Sequence, residues 1–341
     1  MVYDPPVFER IGFSFIRKTP PEVYNVMRFV DDGGDRELTD NDKDRFKAFF
    51  GICPEGCSMI WDMLQPNETM PKGVKPEHLL WGLLFMKVYA TETALVSMVN
   101  APDEKTFRKW SQRFVVDISW LESEVVSNGS QQKVLFNSIF ANACFLHLLH
   151  LSIRHLLLMQ ILLENRYDND SMNDCLLSVD GTDCPIQQFK PWSKIWYSKK
   201  INGPGLRYEV GVCILSGSIC WIHGPIPCGK WNDLQVFKHA LINFLDDGER
   251  VESDKGYRGV PRSARIPDAT DSNEVAAMRR RVGQRHETIN RRLKMFRALK
   301  QRWRHSLELH SATFRAAAVI TQLCFELGEP PFDVVWDDTL V

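Results

Sequence analysis

Three carboxylates in the second half of the chain stand where they could act together. Asp180 follows the apolar run Leu176-Leu177-Ser178-Val179, and Asp254 follows Val251-Glu252-Ser253. Each reads as the residue where a short strand ends, so both are expected at the carboxyl edge of one sheet, where open α/β sheets place their sites. The third is Glu287, the sole acid between Val275 and Trp303, in a stretch that also holds Arg279, Arg280, Arg281, Arg285, Arg291, Arg292, Lys294, Arg297, Lys300 and Arg302. Carboxylates gathered at one place repel each other unless cations sit between them, which is the chemistry of Mg²⁺ or Mn²⁺ held by oxygen ligands. A pair of such ions about 3.5–4 Å apart activates an attacking water or hydroxyl and stabilises the leaving oxygen of a phosphodiester. Structural readings compete: Asp180 as a turn residue before glycine, Asp254 as the start of a Lys-Gly turn, and Glu287 as a helical ion pair with Arg291.

The elements that must position these acids read as a mixed α/β domain over residues 164–341. Cys175-Leu176-Leu177-Ser178-Val179 is a first strand. Tyr208-Glu209-Val210-Gly211-Val212-Cys213-Ile214-Leu215 and Ile219-Cys220-Trp221-Ile222-His223 flank the turn signal Ser216-Gly217-Ser218, which predicts a hairpin. Residues 233–245 then carry Leu234, Phe237, Leu241 and Phe244 on one side of an amphipathic segment, and residues 250–253 form a fourth strand. In the basic stretch, Ile289, Leu293, Phe296 and Trp303 form an apolar helical stripe, with Glu287, Arg291 and Lys294 on another face.

The N-terminal half is helical by pattern. Residues 1–45 are turn-rich and acidic, with Asp31-Asp32-Gly33-Gly34-Asp35. Residues 46–125 hold apolar residues at helical spacing up to Leu64, a stronger helix opened by Lys75-Pro76-Glu77, and two shorter segments separated by Asn100-Ala101-Pro102. Asp103 is placed to cap the second of these. Two helices joined by a tight turn, the second carrying Lys105, Arg108, Lys109 and Arg113, have the pattern of a helix-turn-helix that reads DNA; an ordinary solvated face is the alternative. Residues 126–163 are dense in Leu and Phe, but His147, His150, Arg154 and His155 interrupt every window long enough to span a membrane.

Composition bounds the rest. The chain has 341 residues, 44% apolar and 25% charged, with a formal net charge of −1, the balance of a globular protein and not of a uniform polycation. Its nine cysteines are odd in number and have no framework spacing, and the first residues lack the basic start and apolar run of a signal peptide. A reducing compartment, nucleus or cytoplasm, is the expectation.

Four blocks carry a family resemblance: Val179-Asp180-Gly181-Thr182-Asp183-Cys184-Pro185-Ile186, Trp231-Asn232-Asp233-Leu234, Ser253-Asp254-Lys255-Gly256-Tyr257, and Arg285-His286-Glu287-Thr288-Ile289-Asn290-Arg291-Arg292-Leu293-Lys294. Over about residues 170–310 the chain resembles the DDE transposases, closest to the Harbinger-type and related insertion-sequence-type endonucleases. Asp254 and Glu287 are 33 residues apart, close to the spacing of the last two acids in that group. The resemblance implies an RNase H-like fold preceded by an all-α, helix-turn-helix-like region. It implies Asp180, Asp254 and Glu287 as catalytic ligands of two Mg²⁺ (or Mn²⁺) ions that cut and transfer DNA strands in the nucleus. Asp233 matches an additional acidic position, with helix capping as its competing role; Asp183 is a further candidate, expected on the face of Asp180. DNA, both element ends and target, is the implied partner, with an accessory DNA-binding protein and an oligomer allowed. Arg285, Arg291 and Lys294 would neutralise phosphates, and the run from Lys190 to Lys200, including Lys199 and Lys200 and interleaved with Trp192, Trp196 and Tyr197, could track a backbone and stack on a base or be an edge strand with solvated lysines.

Residues 126–163 depart from the pattern, since relatives are expected to pass quickly from Trp120-Leu121-Glu122-Ser123-Glu124 to Glu164-Asn165-Arg166-Tyr167. Roughly residues 126–160 read, as a hypothesis, as a translated intron, because valine codons begin with GT and one glutamine codon ends in AG; a spliced transcript that still encodes the segment would sink it. The rival functional reading is a domesticated or decayed copy that binds DNA or a protein without cleaving.

Overall fold

The computed structural model describes residues 40–64, 72–125 and 175–335. The insertion at 126–163, with its intron reading, and most of the acidic segment 1–45 lie outside the described residues. The chain divides into two compact units. One comprises residues up to Leu121 with Lys294–Gln301 and Ala312–Leu327; the other comprises Glu122–Leu293, Arg302–Ser311 and the residues from Gly328. The helical unit is therefore discontinuous, whereas the sequence pattern assigned everything after residue 163 to the second domain. A C-terminal apolar helix has to cover some core, and its own pattern does not say which.

In the helical unit the expected stretch up to Leu64 is two helices, α1 (Asp40–Phe50) and α2 (Pro54–Leu64). Gly51 separates them at φ 86°, a conformation that glycine adopts at little cost. Helix α3 (Pro76–Val88) is buried at every residue from His78 to Val88, so it is the centre of the unit, and it shows no amphipathic stripe for that reason. Helix α4 (Glu92–Val99) is capped by Thr91, whose hydroxyl accepts from Ala94 N at 3.3 Å. Helix α5 (Glu104–Trp120) is capped as expected, Asp103 Oδ1 accepting from Thr106 N at 2.8 Å, and it runs beyond the anticipated end at Phe114. Gly82 of α3 faces Phe114 and the carbonyl of Ser111, and a Cβ there would stand 2.9 Å from Phe114. The two helices thus approach closely at a glycine, and Trp61, Leu79, Leu83, Phe107, Phe114 and Ile118 fill the surrounding core. A short α6 (Glu122–Val125) opens the second unit.

The second unit is a mixed sheet flanked by helices. Its strands are β1 (Cys175–Pro185), β2 (Tyr197–Ser198), β3 (Gly203–Cys213), β4 (Ile219–Pro227), β5 (Arg250–Ser253) and β6 (Ala264–Arg265). Antiparallel β4-β3-β1 is continued by parallel β1-β5-β6, with β2 pairing the start of β3. The hairpin at Ser216-Gly217-Ser218 forms as predicted. The amphipathic segment is shorter than its pattern: α7 (Asp233–His239) ends at Ala240, at φ −127° and ψ −93°, and a 3-10 turn Leu241–Phe244 continues it. Helix α8 (Asn273–Leu293) ends before Phe296 and Trp303, so the long apolar stripe is broken. Phe296 instead precedes α9 (Arg297–Lys300), which belongs to the helical unit, and Trp303 bridges to Ile186. The last helix, α10 (Leu307–Glu326), belongs to the helical unit from Ala312 on.

Alternation along β1 sends Leu177 and Val179 into a core shared with Phe237, Leu241 and Tyr257. It sends Ser178 and Asp180 the other way, toward α8: Ser178 Oγ lies 2.9 Å from His286 Nδ1, and Asn290 Nδ2 donates to Asp180 Oδ2 at 3.1 Å. Two residues along the strand match four along the helix, as their rises of about 3.3 and 1.5 Å per residue require.

Candidate active site at the end of β5

The register of two parallel strands sets the site. Val179 of β1 pairs with Ser253 of β5, and there β5 stops. Asp180 and Asp254 follow at the same level. Asp180 is not at a strand end as the sequence pattern suggested; β1 continues five residues further against β3, and only its β5 side falls open at Asp180. Asp254 caps the 3-10 turn Lys255–Tyr257, its Oδ1 accepting from Gly256 N at 2.7 Å, while Asp180 Oδ1 accepts from Gly181 N at 2.7 Å. Both carboxylates are thus fixed by backbone amides; Asp254 takes the turn role foreseen for it, whereas Asp180 sits inside a strand and not in a turn.

Asp233 joins them from the start of α7. A Cβ on Gly181 would overlap its Oδ1, so the glycine in β1 admits the carboxylate against the strand, and a Cβ on Gly256 would make ordinary contact with its Oδ2 at 3.6 Å. Helix capping, the competing role, is taken by the neighbour: Asn232 Oδ1 accepts from Gln235 N at 2.8 Å. Asp233 is held by Arg207, with Nη1 at 3.2 Å from Oδ1, and Lys200 Nζ lies 3.8 Å from Oδ2 while donating to the carbonyl of Gly181 at 3.0 Å.

Asp183 does not share the face of Asp180. It is three residues on, an odd step that turns it to the opposite side of β1, where Arg207 Nε reaches its Oδ1 at 2.8 Å and Nη2 its Oδ2 at 3.1 Å. Ser198 Oγ donates to the same carboxylate at 2.5 Å. Burial alone would raise the pKa of Asp183, but Arg207 and Ser198 hold it below the usual carboxylate range. Asp183 is therefore a partner of Arg207 inside the fold and not a surface acid.

Glu287 lies exposed on α8, one helical turn before Asn290. Among the described residues no three His, Cys, Asp or Glu side chains are gathered as a set that could hold a metal ion. The partner that α8 supplies to Asp180 is Asn290. No pattern marked it; its place at four residues from His286 was the available signal.

Two buried groups beneath the acids also went unread. Glu209, paired with Gly181 in register, accepts from Trp221 Nε1 at 3.0 Å, and burial with repulsion from Asp233 pushes its pKa up to about 8. The Tyr257 hydroxyl is raised well above its ordinary value, first by burial and then by the negative charge of Glu209, Asp233, Asp180 and Asp254. An acid inside an otherwise apolar strand, as in Tyr208-Glu209-Val210, was the sequence signal.

The expected DNA-facing cations divide. Arg285 is a correction: it is 2% exposed and donates to the carbonyls of Cys213, Ile214 and Leu215, because a helix packed on the sheet turns every third or fourth residue inward whatever its charge. Arg291, Lys199 and Lys200 are exposed, and Lys294 is half-buried. In the helical unit Lys105 is exposed, Lys109 lies over the Trp110 ring at 4.8 Å, Arg108 is paired with Glu92, and Arg113 Nε reaches Asp117 at 2.8 Å.

No family model, no curated protein and no solved structure matches the chain. Among the described residues no helix is long and apolar enough to cross a membrane.

Proposed function

We propose that the chain is a metal-dependent DNA endonuclease or strand-transferase of the DDE transposase class, built on an RNase H-like sheet. The observation that carries this reading is the Val179–Ser253 register, which brings Asp180 and Asp254, 74 residues apart in sequence, to one sheet end. The strand order β4-β3-β1-β5-β6, with antiparallel strands on one side of β1 and parallel ones on the other, supports it further.

The donor chemistry fits a hard cation, since Asp180, Asp254 and Asp233 offer only oxygens, and the buried Glu209 pairs in register with Gly181, next to Asp180. Asp180 and Asp254, with Glu287 from α8, would hold Mg²⁺ or Mn²⁺, which supplies an activated oxygen nucleophile and charge neutralisation at a phosphodiester. The chain's own residues arrange that site: Asn290 and the Gly181 amide fix Asp180, Arg207 fixes Asp233, and Lys200 brings a cation beside it. DNA would be the partner in the nucleus, with the two helices joined at Asn100-Ala101-Pro102 as a helix-turn-helix reader of element ends.

The test is nicking of DNA carrying the element's terminal repeats, with Mg²⁺ or Mn²⁺, by wild type and by Asp180→Ala, Asp254→Ala and Glu287→Gln. Wild type is expected to nick and the variants to lose nearly all activity; equal activity in wild type and Asp180→Ala discards the site. A second reading, a decayed copy that binds without cutting, is favoured by the exposed position of Glu287 on α8, where Asn290 donates to Asp180. Retained DNA binding with no nicking by any of the proteins would establish it.

A further inference from the structure

We propose that residues 187–200 form a clamp for an unpaired nucleotide beside the acids at the end of β5. The inference rests on reading this unit as one that acts on DNA, and it adds that the DNA is single-stranded at this point.

The loop joins β1 to β3. From Cys184 to Tyr208 the chain has no acidic residue, and it carries Lys190, Lys194, Lys199 and Lys200, all exposed. Every residue from 187 to 195 is exposed, yet the side chains include Phe189 (41%), Trp192 (58%) and Ile195 (39%), followed by Tyr197 (36%). These are four of the seven large apolar side chains exposed among the described residues, so the water-facing rings are concentrated in one loop.

The loop is also anchored. Gln187 N donates to the carbonyl of Trp303 at 2.9 Å, and Gly229 N donates to that of Ile195 at 2.8 Å. A Cβ at Gly229 would overlap the carbonyl of Lys194, so the glycine admits the loop backbone. Most of the rings are supported: Phe189 and Trp196 have centroids 4.8 Å apart, and the Tyr197 hydroxyl donates to Asn202 at 2.8 Å. Trp192, at 58%, is the most exposed of these rings. At the far end Lys200 donates to Gly181 and approaches Asp233, which ties the loop to the acids.

The chemistry selects the occupant. Lys190 and Lys194, in a stretch of sequence without acids, attract a polyanion, and an exposed indole adds nothing to a duplex, whose base faces are stacked inside. An unpaired nucleotide offers both a phosphate and a free base face. An acidic peptide would use the lysines and leave the indole idle.

The experiment uses the full chain in EDTA, so that hydrolysis does not enter. Fluorescence anisotropy compares a blunt duplex with the same duplex bearing a short oligothymidine tail. Wild type is expected to prefer the tailed probe. Trp192→Ala should lose about tenfold of that preference, with blunt-duplex affinity changed less than about twofold, and Trp192→Phe should keep most of it. Lys190→Ala with Lys194→Ala should weaken both probes and flatten the salt dependence. Equal preference in wild type and Trp192→Ala overturns the proposal, as does wild type with no preference for the tail. Self-association that Trp192→Ala abolishes would also overturn it, by assigning the rings to a second copy. Nicking in Mn²⁺ is read separately: its loss with the tail preference intact defeats the nuclease reading alone.

Discussion

The two units bury different chemistry. In the helical unit the core is rings and aliphatic side chains: Trp61 and Phe114 face each other at 6.0 Å, and α3 is buried almost throughout. Most of its cations stay at the surface, as Arg108 does with Glu92. The sheet unit buries Asp183, Arg207, Glu209, Glu252, Arg279, Arg285 and His286, with Arg207 holding both Asp183 and Asp233. Buried charge costs more to hold than buried carbon and adds little net stability. The group of Asp183, Arg207 and Glu209, with Asp233 beside it, therefore marks a place where the fold is organised for something other than stability.

The largest effects should come from opening each core. Arg207→Met leaves the buried Asp183 without its guanidinium and Asp233 with Lys200 alone, and is expected to cost about 3–5 kcal/mol, while Phe114→Ala empties a ring-sized space at a comparable cost of about 3–5 kcal/mol. The causes differ, and denaturant titration separates them. Adding Asp183→Asn to Arg207→Met should restore part of the loss, whereas removing a charge near Phe114 should restore none. An Arg207→Met protein as stable as wild type would break the comparison.

A pH series is the next sharpest. Glu209, raised to about 8, binds a proton in the folded chain that it releases when unfolded above its ordinary range. Its contribution is therefore full at low pH and is lost as pH rises through about 8. His286 and His310, lowered by burial to about 4 and about 3, act in the opposite sense and only below their ordinary value of 6.5. Glu252, raised to about 7, falls with Glu209 but is common to both proteins compared. The melting temperature of Glu209→Gln relative to wild type should rise from just above pH 4.5 up to about pH 8 and level off above it; a constant difference would show that the buried carboxyl is not the cause.

The smallest effect belongs to the helical unit's surface. Thr91→Ala removes the α4 cap and should cost about 1 kcal/mol with no dependence on pH. A pH-dependent loss there would blur the contrast between the units.

Local features were legible because local rules write them. The Asp103 cap, the Ser216-Gly217-Ser218 turn and the alternating strands follow from short-range sterics and hydrogen bonding. The face of Asp183 was misjudged because an odd step along a strand reverses direction, and the inward turn of Arg285 because charge was read as exposure. Ala240 and Leu293 end helices whose apolar pattern runs on, since packing and not periodicity stops them.

The sequence by itself determined which residues could do chemistry: acids after two strand-like runs, a lone glutamate in a basic helix, and a lysine- and ring-rich loop. Only the tertiary structure decided which of them meet. The early end of β5 leaves Asp180 open beside Asp254, Asn290 is the group on α8 that meets Asp180, and Arg207 takes Asp183 and Asp233. Residue types are fixed one position at a time, whereas meeting depends on strand register and helix ends, which the packing of the whole chain sets.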